Sequence, residues 1–131
     1  MTNAAPHPAK TVLICEDDAN LRTLVRLALG NGYRYVEAAD AAGALEQLGQ
    51  EHPDLIVLDL MLPGRSGFEL LQEIRRTEAA DGIPVVVISA WAHSDEAAVA
   101  AGADMFVSKP FDPDALRETV TDLLADDADR G

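Results

Sequence analysis

The chain has 131 residues, 48% of them hydrophobic but only 5% aromatic, and a formal net charge of −13 from 23 acidic and 10 basic side chains. That length and apolar content support a single domain with an aliphatic core, burying roughly two thirds of its unfolded surface, and exclude wholesale disorder. The acidity argues against direct binding of nucleic acid, and no apolar run approaches the roughly 20 residues that span a bilayer. Residues 1–9 carry two prolines, no periodicity and no hydrophobic leader core, so they read as a disordered tail on a cytoplasmic protein.

From Lys10 onward, strand and helix patterns alternate. Residues 11–16 predict a strand containing Cys15, whose bland reading is a small buried hydrophobe. Residues 19–30 predict a helix with Leu21, Leu24, Val25 and Ala28 on one face, stopped by Gly30 and Gly32. Tyr33 to Glu37 reads as a short strand, and Asp40 as the N-cap of a helix that turns Leu45 and Leu48 inward. Leu55-Ile56-Val57-Leu58, between Asp54 and Asp59, reads as a strand buried on both faces. A loop with Pro63, Gly64 and Gly67 follows, then a helix containing Phe68, Leu71 and Ile74, with Leu70 at its flank. Gly82 and Pro84 precede a buried strand over 85–89. The weakest helix, Ser94 to Ala101, offers little beyond Ala97, Ala98 and Val99, and Gly102 stops it. A strand over 104–108 is followed by the Lys109-Pro110 turn. The last helix has Asp112 as cap and Pro113 in its first position, with Leu116, Val120, Leu123 and Leu124 inward. The domain is expected to span 10–126, with 127–131 an acidic tail. Strict alternation of strands and helices predicts a parallel α/β sheet covered on both faces.

The strand ends carry the chemistry. Open parallel sheets bind ligands at the carboxyl ends of their strands. Here the first strand runs into Glu16-Asp17-Asp18, the third ends in Asp59, the fourth in Ser89, and the fifth runs into Lys109. Acids, a hydroxyl and an amine along one sheet edge suit a phosphate and a divalent cation. A nucleotide- or flavin-binding sheet is disfavoured, because the turn Glu16 to Asn20 holds acids and no glycine and would repel a phosphate. His7, His52 and His93 have no metal-site spacing and are expected to face solvent.

In this order, Glu16-Asp17-Asp18, Asp59 with Pro63 and Gly67, Ser89-Ala90, Gly102-Ala103-Asp104 and Lys109-Pro110-Phe111 make residues 10 to 125 resemble the receiver domain of two-component response regulators. The resemblance implies a flavodoxin-like, doubly wound, five-stranded parallel sheet in the order 2-1-3-4-5. It makes Asp59 the acceptor of a phosphoryl group from a histidine kinase or histidine phosphotransfer protein. It implies Mg²⁺ bound by Asp17, Asp59 and the Met61 backbone carbonyl, with Glu16 acting through water. A competing reading makes Asp18 the ligand; Arg22, five positions after Asp17, favours the first. Lys109 would pair with phosphoryl oxygens, the Lys109–Pro110 bond would be cis, and Ser89 would hydrogen-bond the phosphoryl group. Phe106 would then repack and alter the surface of the fourth helix, fifth strand and fifth helix. That surface is the expected output contact. The family is one of signalling domains, with self-phosphorylation and autodephosphorylation as their only chemistry.

The chain departs from the family pattern in two ways. The stretch between Ser89 and Gly102 is short, and Arg117 is the one basic residue between Phe111 and Asp129, which disfavours a salt-bridged dimer through the last helix. A single-domain regulator is the expectation, against a receiver that belongs to a longer regulator with an output domain. A different class, an aspartate-nucleophile phosphatase, needs a second acid two residues after Asp59, where Met61 stands. Met61 and Trp91 are bulky and non-basic, which predicts slow self-dephosphorylation.

Overall fold

The computed structural model describes residues 9–64, 66–90 and 95–130; Trp91 and His93, like His7, lie outside them. The elements run β1 (Thr11–Cys15), α1 (Ala19–Leu29), β2 (Arg34–Ala38), α2 (Ala41–Glu51), β3 (Leu55–Asp59), α3 (Gly67–Arg76), β4 (Val85–Ser89), α4 (Asp95–Ala101), β5 (Met105–Ser108) and α5 (Pro113–Arg130). All pairings are parallel and the order is β2-β1-β3-β4-β5, the flavodoxin-like arrangement.

Between their polar ends the central strands are continuous apolar runs, because both their faces are covered. Val12 and Ile14, Leu55 and Val57, and Val86 and Ile88 pack with α1 and α5 residues such as Val25, Leu29, Leu116 and Val120. Their alternates, Leu13 and Cys15, Ile56 and Leu58, and Val85 and Val87, pack with Leu48, Leu70, Leu71 and Ile74 on the other side. Truncating any of these buried leucines to alanine is expected to cost about 2–5 kcal/mol. Cys15 is fully buried, and burial pushes its thiol pKa up to about 12, which makes it inert.

Several side chains sit differently from the sequence expectation. Leu24 is half exposed, and α1 buries Val25, Ala28 and Leu29 instead. Leu70 is fully buried rather than flanking, while Phe68 is only partly buried. Gly67 is the first residue of α3, not part of the loop; a Cβ there would lie 2.3 Å from the Leu60 carbonyl oxygen, so only glycine lets α3 approach the end of β3 this closely. β5 is an edge strand with Met105 exposed, and Val99 of α4 is exposed too. α5 runs from Pro113 to Arg130. A 3-10 turn at Glu78–Ala80 had no sequence signal. Among the described residues, no helix is long and apolar enough to cross a membrane.

Candidate functional site

β1 and β3 are hydrogen-bonded neighbours, so Glu16 and Asp59, at their carboxyl ends, meet at the same edge. Asp59 is buried and so is Glu16, whereas Asp17 is exposed at the rim. Glu16, Asp17 and Asp59 each offer one carboxylate oxygen, and the three oxygens lie within 4.8 Å of one another. Asp18 is used as a helix cap: its Oδ1 accepts from the N–H groups of Asn20 and Leu21 at 2.8 and 3.4 Å, at the start of α1.

Lys109 bridges two of the three carboxylates. Its Nζ donates to Asp59 Oδ2 at 2.7 Å and to Glu16 Oε1 at 3.0 Å. The other Asp59 oxygen, Oδ1, accepts from the Met61 N–H at 2.9 Å. The turn that carries Lys109 is tied to β4, because the Lys109 N–H donates to the Ser89 carbonyl at 2.9 Å. Ser89 itself is fully buried, and the Lys109–Pro110 peptide bond is cis. Phe106 is partly buried, paired in register with Val87, and packs against the core on the α3–α4 side.

The electrostatics favour a cation. Three carboxylates against one ammonium leave an excess of two negative charges when all are ionised. Burial, and next the neighbouring Asp59, raise the Glu16 pKa to about 7, only partly offset by Lys109. Burial alone would lower the Lys109 pKa, but the bonds to Asp59 and Glu16 outweigh it and the net shift is upward. The donors are all hard oxygens, which suits Mg²⁺ and not a thiophilic metal. Leu24 faces a groove of about 350 Å³ beside the site, walled also by Leu21, Ala90, Lys109 and Phe111.

Sequence reasoning missed the scaffold of the acidic turn. Arg22 Nη1 donates to the Glu16 carbonyl at 2.6 Å while its Nε donates to Glu37 Oε1 at 2.6 Å. The spacing of Arg22 from Asp17 was a signal; Glu37, next to last in an edge strand, offered none.

The sequence profile of the response regulator receiver domain matches residues 12–121. The chain is 39% identical to the phosphate regulon transcriptional regulatory protein PhoB of Escherichia coli K12, over 82% of this chain and 48% of that protein. It is 41% identical to the transcriptional regulatory protein AfsQ1 of Streptomyces coelicolor, over 87% of this chain and 51% of the other. A crystal structure of a CheY-like response regulator receiver domain protein from Methanospirillum hungatei superposes with a TM-score of 0.84 at 27% identity, covering 93% of this chain and 98% of that one. The chain thus spans about half the length of the curated relatives it matches. With that sheet order and that cluster of acids facing a lysine, the chain belongs to the response regulator receiver domain family of two-component signal transduction.

Proposed function

We propose that this receiver domain accepts a phosphoryl group on Asp59 from a phosphohistidine of a histidine kinase or histidine phosphotransfer protein. One observation carries the reading: the buried Asp59 carboxylate sits 2.7 Å from Lys109 Nζ at the sheet edge, clustered with Glu16 and Asp17. In the transfer, an O–P bond forms at an Asp59 oxygen as the N–P bond of the phosphoimidazole breaks, and the departing imidazole takes up a proton. Lys109 acts as a point charge on the equatorial phosphoryl oxygens. Asp17, Asp59 and the Met61 backbone carbonyl would hold Mg²⁺ directly, with Glu16 assisting through water. When bound, that ion supplies positive charge where two anionic groups are brought together. Asp18 is left out of the ligand set because its carboxylate is engaged in capping α1.

The acyl phosphate carries about two negative charges where the carboxylate carried one, and spreads them over phosphoryl oxygens further out in the pocket. Those charges draw the Ser89 hydroxyl, Phe106 repacks against the space this opens, and the α4–β5–α5 surface changes its population of packings. Phe106 has no hydroxyl, so the switch works by packing alone. That the relatives are transcriptional regulators of about twice this length supports an output step downstream of the surface. Signalling rather than turnover is favoured, because Met61 occupies the position a phosphatase general acid would need. Met61, half exposed next to Asp59, screens the phosphorus without acting as a base, which favours a long-lived acyl phosphate.

The test is incubation with Mg²⁺ and acetyl phosphate followed by intact-mass measurement. A gain of one phosphoryl group in the wild type, absent in Asp59→Ala, is the expected result. A wild type that gains none, or an Asp59→Ala variant that gains as much, overturns the reading.

A further inference from the structure

Two hydrogen bonds hold the backbone on which the acidic turn is built. The Glu16 N–H donates to the Ala38 carbonyl at 3.0 Å, and the Glu16 carbonyl accepts from Arg22 Nη1 at 2.6 Å. That carbonyl belongs to the planar Glu16–Asp17 peptide unit, so its direction fixes the plane and the course of the chain into Asp17. Arg22 is itself braced. Its Nε donates to Glu37 Oε1 at 2.6 Å, and the second Glu37 oxygen pairs with Arg26. Glu37 and Ala38 are consecutive residues of β2, so one edge strand grips Glu16 through its N–H directly and through its C=O by way of Arg22. The Arg22 side chain is only 18% exposed, and its planar fork serves two acceptors at once.

We infer that Arg22, braced by Glu37, is a positioning residue for the acidic cation site. By holding the Glu16–Asp17 peptide it keeps the Asp17 carboxylate converged with those of Glu16 and Asp59. The inference rests on the magnesium reading above and adds residues outside the ligand set.

Charge and position predict opposite signs here. A guanidinium close to a cation site repels the cation, so deleting it would tighten Mg²⁺ binding if charge were its only contribution. Loss of positioning weakens binding instead. Outer partners that orient metal ligands typically account for about tenfold or more in affinity.

The experiment is calorimetric titration of Mg²⁺ into the intact chain, for the wild type, Arg22→Ala, Arg22→Lys and Glu37→Ala, with far-UV circular dichroism to check folding. Arg22→Ala is expected to weaken Mg²⁺ binding about tenfold or more. Arg22→Lys keeps the charge but not the fork and is expected to fall between the two. Glu37→Ala leaves Arg22 unbraced and is expected to weaken binding several-fold; it carries the test if Arg22→Ala does not fold. With acetyl phosphate, the Arg22 variants are expected to need more Mg²⁺ for half-maximal phosphorylation while the rate at saturating Mg²⁺ stays near wild type. Equal or tighter Mg²⁺ binding in Arg22→Ala, or in Glu37→Ala where the first is unfolded, overturns the inference and leaves the phosphoacceptor reading standing. A wild type that binds no Mg²⁺ overturns both the metal reading and this one.

Discussion

Glu16 shows how one residue in this site serves two purposes that conflict. The magnesium site proposed above calls for its carboxylate as an anion beside Asp59, yet it is buried, and burial together with Asp59 raises its pKa from an ordinary 4.5 to about 7. The folded state therefore binds the Glu16 proton more tightly than the unfolded state does. The stability linked to that proton is fully present below pH 4.5 and is lost as pH rises through about 7. In magnesium-free buffer the urea midpoint of the wild type is expected to fall between about pH 5 and about pH 8, and that of Glu16→Gln, which carries no such proton, to fall distinctly less. Parallel pH profiles for the two proteins would show that Glu16 is not the group that takes the proton. Lys109 sets the limit on this effect, since its ammonium lies 3.0 Å from Glu16 Oε1 and favours the ionised form.

At the scale of elements, α3, α4 and β5 are locked together by one side chain. Arg75, near the end of α3, donates from Nε to the Gly102 carbonyl at 2.7 Å, from Nη1 to the Ile83 carbonyl at 2.6 Å and from Nη2 to Asp104 Oδ2 at 2.5 Å. Asp104 Oδ2 also accepts from the Val85 N–H at 2.7 Å, so the start of β4 joins the same network. Gly102 is required twice over: its φ is +119°, and a Cβ there would lie 2.5 Å from Arg75 Cγ. Arg75→Ala is expected to destabilise the domain by about 2–3 kcal/mol and Arg75→Lys by somewhat less, as read from urea unfolding. A loss below about 0.5 kcal/mol for Arg75→Ala would mean that water satisfies those acceptors equally well. Gly102-Ala103-Asp104 was legible in the sequence as a motif, but its partner Arg75 was not, because the pairing spans 27 residues and depends on how two elements dock. The same division runs through the rest of the molecule. β1, β3 and β4 were legible because a strand covered on both faces is a continuous apolar run, and the parallel order then places Glu16, Asp59, Ser89 and Lys109 on one edge. The inward face of α1 was misread because Leu24 fits the helical spacing equally well, and only the packing of α1 on α5 decides that it faces the groove over Pro110 and Phe111. That β5 lies at the edge of the sheet was not legible, because what flanks a strand cannot be inferred from its own residues.

The whole molecule carries a formal net charge of −13, and three of its acids, Glu16, Asp17 and Asp59, converge at one edge of the sheet, two of them buried. Two effects of an added salt can therefore be separated. Any cation screens the repulsion among 23 acidic side chains, and that gain depends on ionic strength alone. A divalent cation held by Glu16, Asp17 and Asp59 adds a binding term that grows as RT ln(1 + [L]/Kd), about 2.7 kcal/mol when the ion stands at 100 times its Kd. Thermal unfolding in MgCl₂ is expected to give a higher midpoint than unfolding in NaCl of the same ionic strength. Asp17 is exposed, so replacing it disturbs no core packing, and Asp17→Asn is expected to remove the excess while keeping the response to NaCl. Equal midpoints in the two salts for the wild type would reduce the acidic edge to ordinary surface charge. An excess that survived in Asp17→Asn would place the ion elsewhere on this acidic surface.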